Sequence, residues 1–83
     1  MQTYLTQAQA KEIVSEAMKS DSENLIACVG ENEQRMTDPH YLDMLEDLLT
    51  NDPVHFSVLS KGCQAAMIFT LWKERDITWA ETH

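Results

Sequence analysis

Cysteine and histidine side chains can serve as a nucleophile, a general base or a metal ligand, and the candidates in this sequence are Cys28, His40, His55 and Cys63. Their spacing fits no C-x-x-C, H-x-x-x-H or H-E-x-x-H pattern, so a zinc site would have to be assembled from distant segments. If the segment that contains them is one helix, His55 and Cys63 lie about 12 Å apart along its axis, too far for a hydrogen bond. Pairs between segments, His40 with Cys63 or His55 with Cys28, stay open. We expect packed thiols and surface histidines, with no metal bound.

The two cysteines also bear on the compartment. They are separated by 35 positions in a chain that lacks the dense cysteine pattern of a disulfide scaffold. This predicts a reducing, cytoplasmic setting with both thiols as small buried apolar groups, and a single disulfide between them as the alternative. Residues 1–5 have no basic region and no apolar core, so no secretory signal is expected. The apolar stretch 63–72 is about half as long as a membrane span, so we expect no membrane contact.

Other catalytic and cofactor motifs are missing from the sequence. With glycines only at Gly30 and Gly62, a phosphate-binding loop or a dinucleotide fingerprint is excluded. Residues 21–33 place Leu25 and Ala27 where a calcium loop needs oxygen ligands. Carboxylate pairs such as Asp43 and Asp47 are not distinguished from the acidic residues around them. We therefore predict no catalytic residue, no cofactor and no enzymatic activity.

Negative charge is the strongest compositional signal. The 83 residues include 14 Asp and Glu against 6 Lys and Arg, for a net charge of −8. Nine of these acids lie between Ser20 and Ser60, where Arg35 is the one basic residue, and the rest of the chain is balanced. Binding to nucleic acid or to an anionic membrane through a basic patch is therefore not expected.

Several of the acids have a structural role at predicted helix starts, among them Glu23, Asp38 and Asp52. The others form either a solvated face or a docking surface for a basic partner. We call the candidate partner-binding residues the acidic surface, and they are Glu31, Glu33, Asp43, Glu46 and Asp47.

The leading functional hypothesis is a small interaction protein that docks this acidic surface on a basic protein, such as a nucleic-acid-binding protein, and inhibits or regulates it. Small size, acidity and the lack of catalytic motifs resemble the general profile of phage and mobile-element inhibitors. That likeness is one of composition, and no family motif accompanies it.

Local signals predict the elements that carry these residues. Thr6 and Gln9 have the spacing of a capping box, which predicts a helix over 6–19. Its apolar face contains Ala10, Ile13, Val14, Ala17 and Met18. A second capping box at Ser20 and Glu23 predicts a helix over 21–34, with a short strand over 25–29 as the alternative. Asp38 followed by Pro39 predicts a third helix over 39–50.

A fourth segment opens at Asp52 and Pro53 and is predicted as one helix to about Arg75, apolar on two sides. The alternative is a strand over 54–58 that turns at Lys61 and Gly62. A helix that is apolar nearly all round is buried at the centre of a bundle or at an oligomer interface. The interface residues predicted on one of its stripes are Val58, Phe69 and Trp72.

Residues 76–83 have too little pattern for an assignment, although Trp79 is expected to pack back on the bundle. The chain is thus predicted to be a single all-α domain over 1–83, a small bundle of about four helices. The alternative function is a structural or assembly subunit, a homodimer for example, that associates through the apolar fourth helix.

Overall fold

The computed structural model describes residues 2–80, a range that includes neither Met1 nor residues 81–83 of the predicted tail. Five helices and two short strands make up this range, and the predicted all-α class is confirmed. The elements are β1 (Gln2–Thr6), α1 (Gln7–Ser20), α2 (Ser22–Arg35), α3 (Pro39–Thr50), α4 (Pro53–Val58), α5 (Lys61–Arg75) and β2 (Thr78–Ala80). None of these helices has both the length and the apolar character needed to cross a bilayer.

The first helix begins as its capping box predicts. The Thr6 hydroxyl accepts a hydrogen bond from the Gln9 amide at 3.1 Å, and the Gln9 side chain accepts one from the Thr6 amide at 2.9 Å. Helix α1 therefore starts within one residue of the predicted position.

The ranges of the second and third helices also match their predictions. The predicted capping box at Ser20 and Glu23 is wrong, because Asp21 is the N-cap of α2 and the Ser20 hydroxyl donates to the Glu16 carbonyl at 2.9 Å. Helix α2 is continuous, so the alternative of a strand over 25–29 is wrong. Its N-terminal neighbour Asp21 accepts a hydrogen bond from the backbone amide of Gly62, 41 residues later, at 2.7 Å. This bond and a second one from Asn24 lower the pKa of the Asp21 carboxyl. Helix α3 begins at Pro39, with Asp38 accepting from the His40 amide at 3.0 Å.

The prediction of one long fourth helix is wrong, and so is the strand alternative. The chain leaves the helical conformation at Leu59, and Ser60 starts α5 by accepting a hydrogen bond from the Cys63 amide at 3.2 Å. The buried side chain of Gln64 donates to the carbonyls of Phe56 and Leu59 at 2.8 and 3.1 Å. These bonds link the break to α5, and the Phe56 carbonyl also accepts a hydrogen bond from the Leu59 amide at 3.2 Å.

Helix α5 is the central element, as predicted for a helix that is apolar nearly all round. It packs against α2 on one side and α1 on another, with α3 also in contact. Its buried residues are Gly62, Gln64, Ala65, Ala66, Met67, Ile68, Thr70 and Leu71.

Helices α2 and α5 approach each other closely at their N-terminal halves. Cys28 and Cys63 have their Cα atoms 5.5 Å apart and form a disulfide, so the prediction of two free thiols is wrong and the alternative holds. Both side chains are half-buried rather than fully buried. Sequence spacing could not show this contact because it depends on how the two helices cross.

The two strands were not predicted. They pair in parallel, with Gln2 opposite Thr78 and Thr6 opposite Ala80. Strand β1 is also fixed to the end of α3, where the Thr3 hydroxyl donates to the Leu49 carbonyl at 2.6 Å. Next to it, the Tyr4 hydroxyl donates to the Leu48 carbonyl at 2.6 Å, and burial, followed by the charge of Asp52, raises the pKa of Tyr4 to about 12.

A buried polar contact joins three helices. The Asn32 side chain of α2 donates to the Thr70 hydroxyl of α5 at 3.0 Å and accepts a hydrogen bond from the Tyr41 hydroxyl of α3. Arg35 stacks over the Tyr41 ring, 5.2 Å from its centroid. Burial, followed by the charge of Glu31, raises the pKa of Tyr41. Asn32 is therefore a satisfied structural residue that orients α2 on its neighbours.

Candidate functional site

An apolar groove runs between α1 and α5 on the surface of the bundle. Its volume is about 520 Å³, and Trp79 of β2 contributes to its wall. Trp79 is half-buried against the core, which confirms the prediction that it packs back on the bundle. We call this feature the α1/α5 groove.

The α1 side of the groove is built by helical periodicity. Ala10, Val14 and Met18 occur on successive turns and form one apolar stripe. The prediction that Met18 faces the core is wrong, because its side chain is 64% exposed. The groove-lining part of α1 runs from Gln7 to Lys19, which corresponds to about 18 Å of helix.

The α5 side supplies the aromatic residues. Ile68 is buried, while Phe69 and Trp72 are 39% and 59% exposed. Two large aromatic side chains and Met18 therefore meet solvent at one place. Exposed apolar side chains gathered at one place on a small domain make this groove a candidate binding surface.

Positive charge borders the groove although the protein is strongly acidic. Lys11 and Lys19 of α1 are among the lining residues, and no Asp or Glu is. Neither lysine forms an ion pair with any residue from 2 to 80. The groove therefore offers apolar contact together with two ammonium groups that are available to a ligand.

The three residues predicted for an oligomer interface do not form one surface. Phe69 and Trp72 lie together in the α1/α5 groove, but Val58 lies on α4 and does not line it. Val58 is 75% exposed at a separate position. The single stripe was inferred from one continuous helix, and the break at Leu59 and Ser60 turns α4 away from the axis of α5.

Two members of the acidic surface are partly neutralised by a residue from the other end of the chain. Arg75 of α5 contacts Glu46 at 2.8 Å and Asp43 at 3.0 Å. Arg75 lies in a part of the sequence whose positive and negative charges balance. Because folding brings it next to α3, the negative charge of the acidic surface is lower than the sequence alone indicates. Because the Arg75 and Glu46 side chains are both less than one-third exposed, this pair fixes α5 to α3 more firmly than a surface pair would.

The remaining members of the acidic surface are exposed. Glu31 pairs with Arg35 one helical turn away at 3.6 Å, and Asp47 accepts a hydrogen bond from Asn51 at 3.0 Å. Glu33 is exposed on α2. The acidic surface thus spans two helices, and three of its five carboxylates already have an arginine partner.

The histidine and cysteine candidates are not brought together as a nucleophile and base. Cys63 is bonded to Cys28, and the His55 ring bonds instead to Asp52, the residue at the start of α4. Within residues 2–80 no group of three or more His, Cys, Asp and Glu side chains has the arrangement of a metal site. The Asp52–His55 pair is an exposed helix cap in its geometry.

This cap gives the folded protein a pH dependence that can be measured. The hydrogen bond and charge of Asp52 raise the pKa of His55, and the same contact lowers the pKa of Asp52. The stabilisation from His55 is present below the ordinary histidine pKa of about 6.5 and is lost as pH rises through the raised value. The contribution of Asp52 is lost as pH falls through its own lowered pKa.

We therefore expect an NMR titration of the His55 ring to give a midpoint above the ordinary value, and Asp52→Asn to bring that midpoint down. Glu33→Gln serves as the control, since it removes an exposed carboxylate that does not touch His55. An unchanged His55 midpoint in Asp52→Asn would contradict the pairing.

The residues of the candidate site that sequence reasoning missed are Lys11, Met18 and Lys19. Their i, i+7 and i+8 spacing within α1 was visible, but it became meaningful only once α5 was placed beside it. No protein-family model, no curated protein and no solved structure shows a significant match to this chain.

Proposed function

We propose that this protein is an interaction module that binds a segment of a partner protein in the α1/α5 groove. The observation that supports this proposal is the exposure of Phe69, Trp72 and Met18 side by side along one concave surface. Tryptophan is prominent among residues that dominate binding energy, and aromatic residues and methionine are enriched at interfaces.

The groove is a better candidate than a flat contact because its apolar residues surround a volume. A partner side chain placed between Trp72 and Met18 would lose contact with water on several sides, and such enclosed positions carry most of the binding energy of an interface. Ile68 and Ala10 lie beneath as buried support. Because the lining belongs mainly to two helices held by the core, the surface is pre-organised for binding.

The acidic surface is a second candidate, as a docking site for a basic partner that the module would inhibit or regulate. Its support is the exposure of Glu33 and Asp47, which have no arginine or lysine partner among residues 2–80. The arginine contacts at Glu31, Asp43 and Glu46 weaken the field of this surface and make it the less favoured site. A cytoplasmic location stays a prediction, and the disulfide removes the cysteine argument for it.

A binding comparison separates the two surfaces. Partners are captured from a lysate by the wild type and by three variants: Trp72→Glu in the groove, Val58→Glu, and Glu33→Lys/Asp47→Lys on the acidic surface. Val58→Glu is the matched control, because it puts the same charge in place of an exposed apolar side chain outside the groove. The double variant leaves the contacts of Arg75 with Glu46 and Asp43 in place.

We expect Trp72→Glu to weaken capture about 30-fold or more, as for a residue worth at least 2 kcal/mol at an interface. Val58→Glu and the acidic-surface variant are expected to retain the same partner. Circular dichroism melts check that all variants fold. Equal capture by Trp72→Glu and the wild type would contradict the groove proposal, and loss confined to the acidic-surface variant would favour the second candidate.

A further inference from the structure

We propose that the occupant of the α1/α5 groove is an acidic amphipathic helix of the partner protein. This inference rests on the proposed function, because it assigns the chemistry of the segment that the groove binds. It joins three observations: the sign of the charge at the groove, the length and composition of its lining, and its concave shape.

The positive charge at the groove favours an acidic segment as its occupant. Lys11 and Lys19 are the charged residues that line the groove, and neither forms an ion pair within residues 2–80. They are separated by about 12 Å along the axis of α1. Two carboxylates at positions i and i+7 or i+8 of a bound helix have nearly the same separation, so both lysines can be paired at once. A basic segment would instead place like charges together.

The lining favours a helix over an extended strand. An extended peptide binds through main-chain hydrogen bonds to an open sheet edge. Apart from Trp79, the residues that line the groove belong to α1 and α5, whose internal backbone groups are already bonded within each helix. A helical occupant satisfies its own backbone and presents apolar side chains at i, i+3, i+4 and i+7 to Met18, Phe69 and Trp72. About three turns of helix fit the roughly 18 Å of groove along α1.

The shape and charge disfavour a second copy of this chain as the occupant. In a two-fold dimer the same surface meets itself, so two concave grooves would face each other and leave the space between Trp72 and Met18 unfilled. The two groove lysines of each copy, Lys11 and Lys19, would also gather at that interface as like charges.

The groove is also too open to favour a small amphipathic molecule as its occupant. Sites for small molecules bury about 70–90% of the ligand surface. Here Trp72 and Met18 are both more than half exposed, which leaves one side of any occupant facing solvent. An amphipathic helix tolerates that arrangement, because its outer face is polar.

Three synthetic helical peptides test the inference. Each has the same leucines at i, i+4 and i+7, and the peptides differ only at two flanking positions, which are both Glu, both Gln or both Lys. Fluorescence anisotropy of a labelled peptide and the emission of Trp72 and Trp79 report binding. With surface ion pairs worth about 0.2–1 kcal/mol each, we expect the Glu peptide to bind several-fold tighter than the Gln peptide, which in turn binds tighter than the Lys peptide.

Charge reversal on the protein supplies the decisive comparison. Lys11→Glu/Lys19→Glu is expected to reverse the order, so that the Lys peptide binds best. Lys61→Glu/Lys73→Glu reaches the same net charge at exposed positions outside the groove and is expected to keep the wild-type order. Reversal by both double variants would mean that net charge alone sets the preference, and it would overturn the inference.

The remaining outcomes distinguish the inference from the function on which it rests. Equal binding of all three peptides, lost in Trp72→Glu, overturns the acidic preference and leaves groove docking in place. Binding of none by a monomeric protein overturns both proposals. Binding of none by a protein that self-associates in sedimentation, with the association lost in Trp72→Glu, identifies a second copy and overturns the acidic helix.

Discussion

Alanine at position 62 is expected to lower the free energy of unfolding by about 3 kcal/mol, because α5 touches the backbone of α2 at that point. A Cβ atom on Gly62 would lie 2.5 Å from the Leu25 amide nitrogen and 2.8 Å from Asn24 atoms. These neighbours include backbone atoms of a packed helix, which cannot move aside as a flexible side chain can. The amide of Gly62 also donates to Asp21, so displacement of α5 weakens that bond too.

Gly30→Ala is the matched control for this prediction. Gly30 is also helical, but an added Cβ there meets nothing within 4 Å. Its replacement is expected to stabilise the protein by up to about 1 kcal/mol through helix propensity. Thermal melts should separate the two variants clearly, with Gly62→Ala lowered by on the order of 15 °C for a domain of this size. Equal melting temperatures would show that the two helices do not approach so closely.

The disulfide gives the second large effect. Cys28→Ala/Cys63→Ala is expected to lose about 4 kcal/mol, because the cross-link closes a loop of 35 residues and restricts the unfolded chain. Alanine is chosen because both positions are half-buried in an apolar contact between α2 and α5. Urea unfolding of the wild type and the variant measures the difference.

Reduction of the wild type should reproduce the effect of the double variant. Addition of reductant is expected to move the wild-type unfolding curve toward that of Cys28→Ala/Cys63→Ala and to leave the variant unchanged. Thiol labelling of the native protein before reduction gives the direct check. Two reactive thiols, or identical unfolding with and without reductant, would contradict the bond.

Local signals in the sequence predicted much of the helical structure. The side chains of Thr6, Asp38 and Asp52 each cap a helix at the position expected, because capping depends on residues within one turn. Ser60 could have been identified in the same way, but the apolar pattern on both sides of it favoured one continuous helix. Leu59 breaks that helix although it is neither glycine nor proline, and the bonds donated by Gln64 hold the break.

The features that were missed depend on residues far apart in the chain. Parallel pairing of β1 with β2 joins the two ends of the described range, and each strand is too short to show a clear alternation. Arg75 reaches the acidic residues of α3 from 29 positions beyond Glu46. The candidate site also depends on distant residues, since α1 and α5 form different sides of the groove and neither helix encloses it alone.

The parallel strand pair carries one residue of the groove wall, Trp79. Pairing of β1 with β2 closes a loop that contains almost the whole chain, which makes it one of the entropically most costly contacts in the fold. Strand β2 has only three residues, and such segments open locally at much lower free energy than a central helix does. Trp79 belongs to that strand, whereas Phe69 and Trp72 lie on α5. One residue of the groove wall is therefore held by a contact between the two ends of the described range, while the others are held by packed helices.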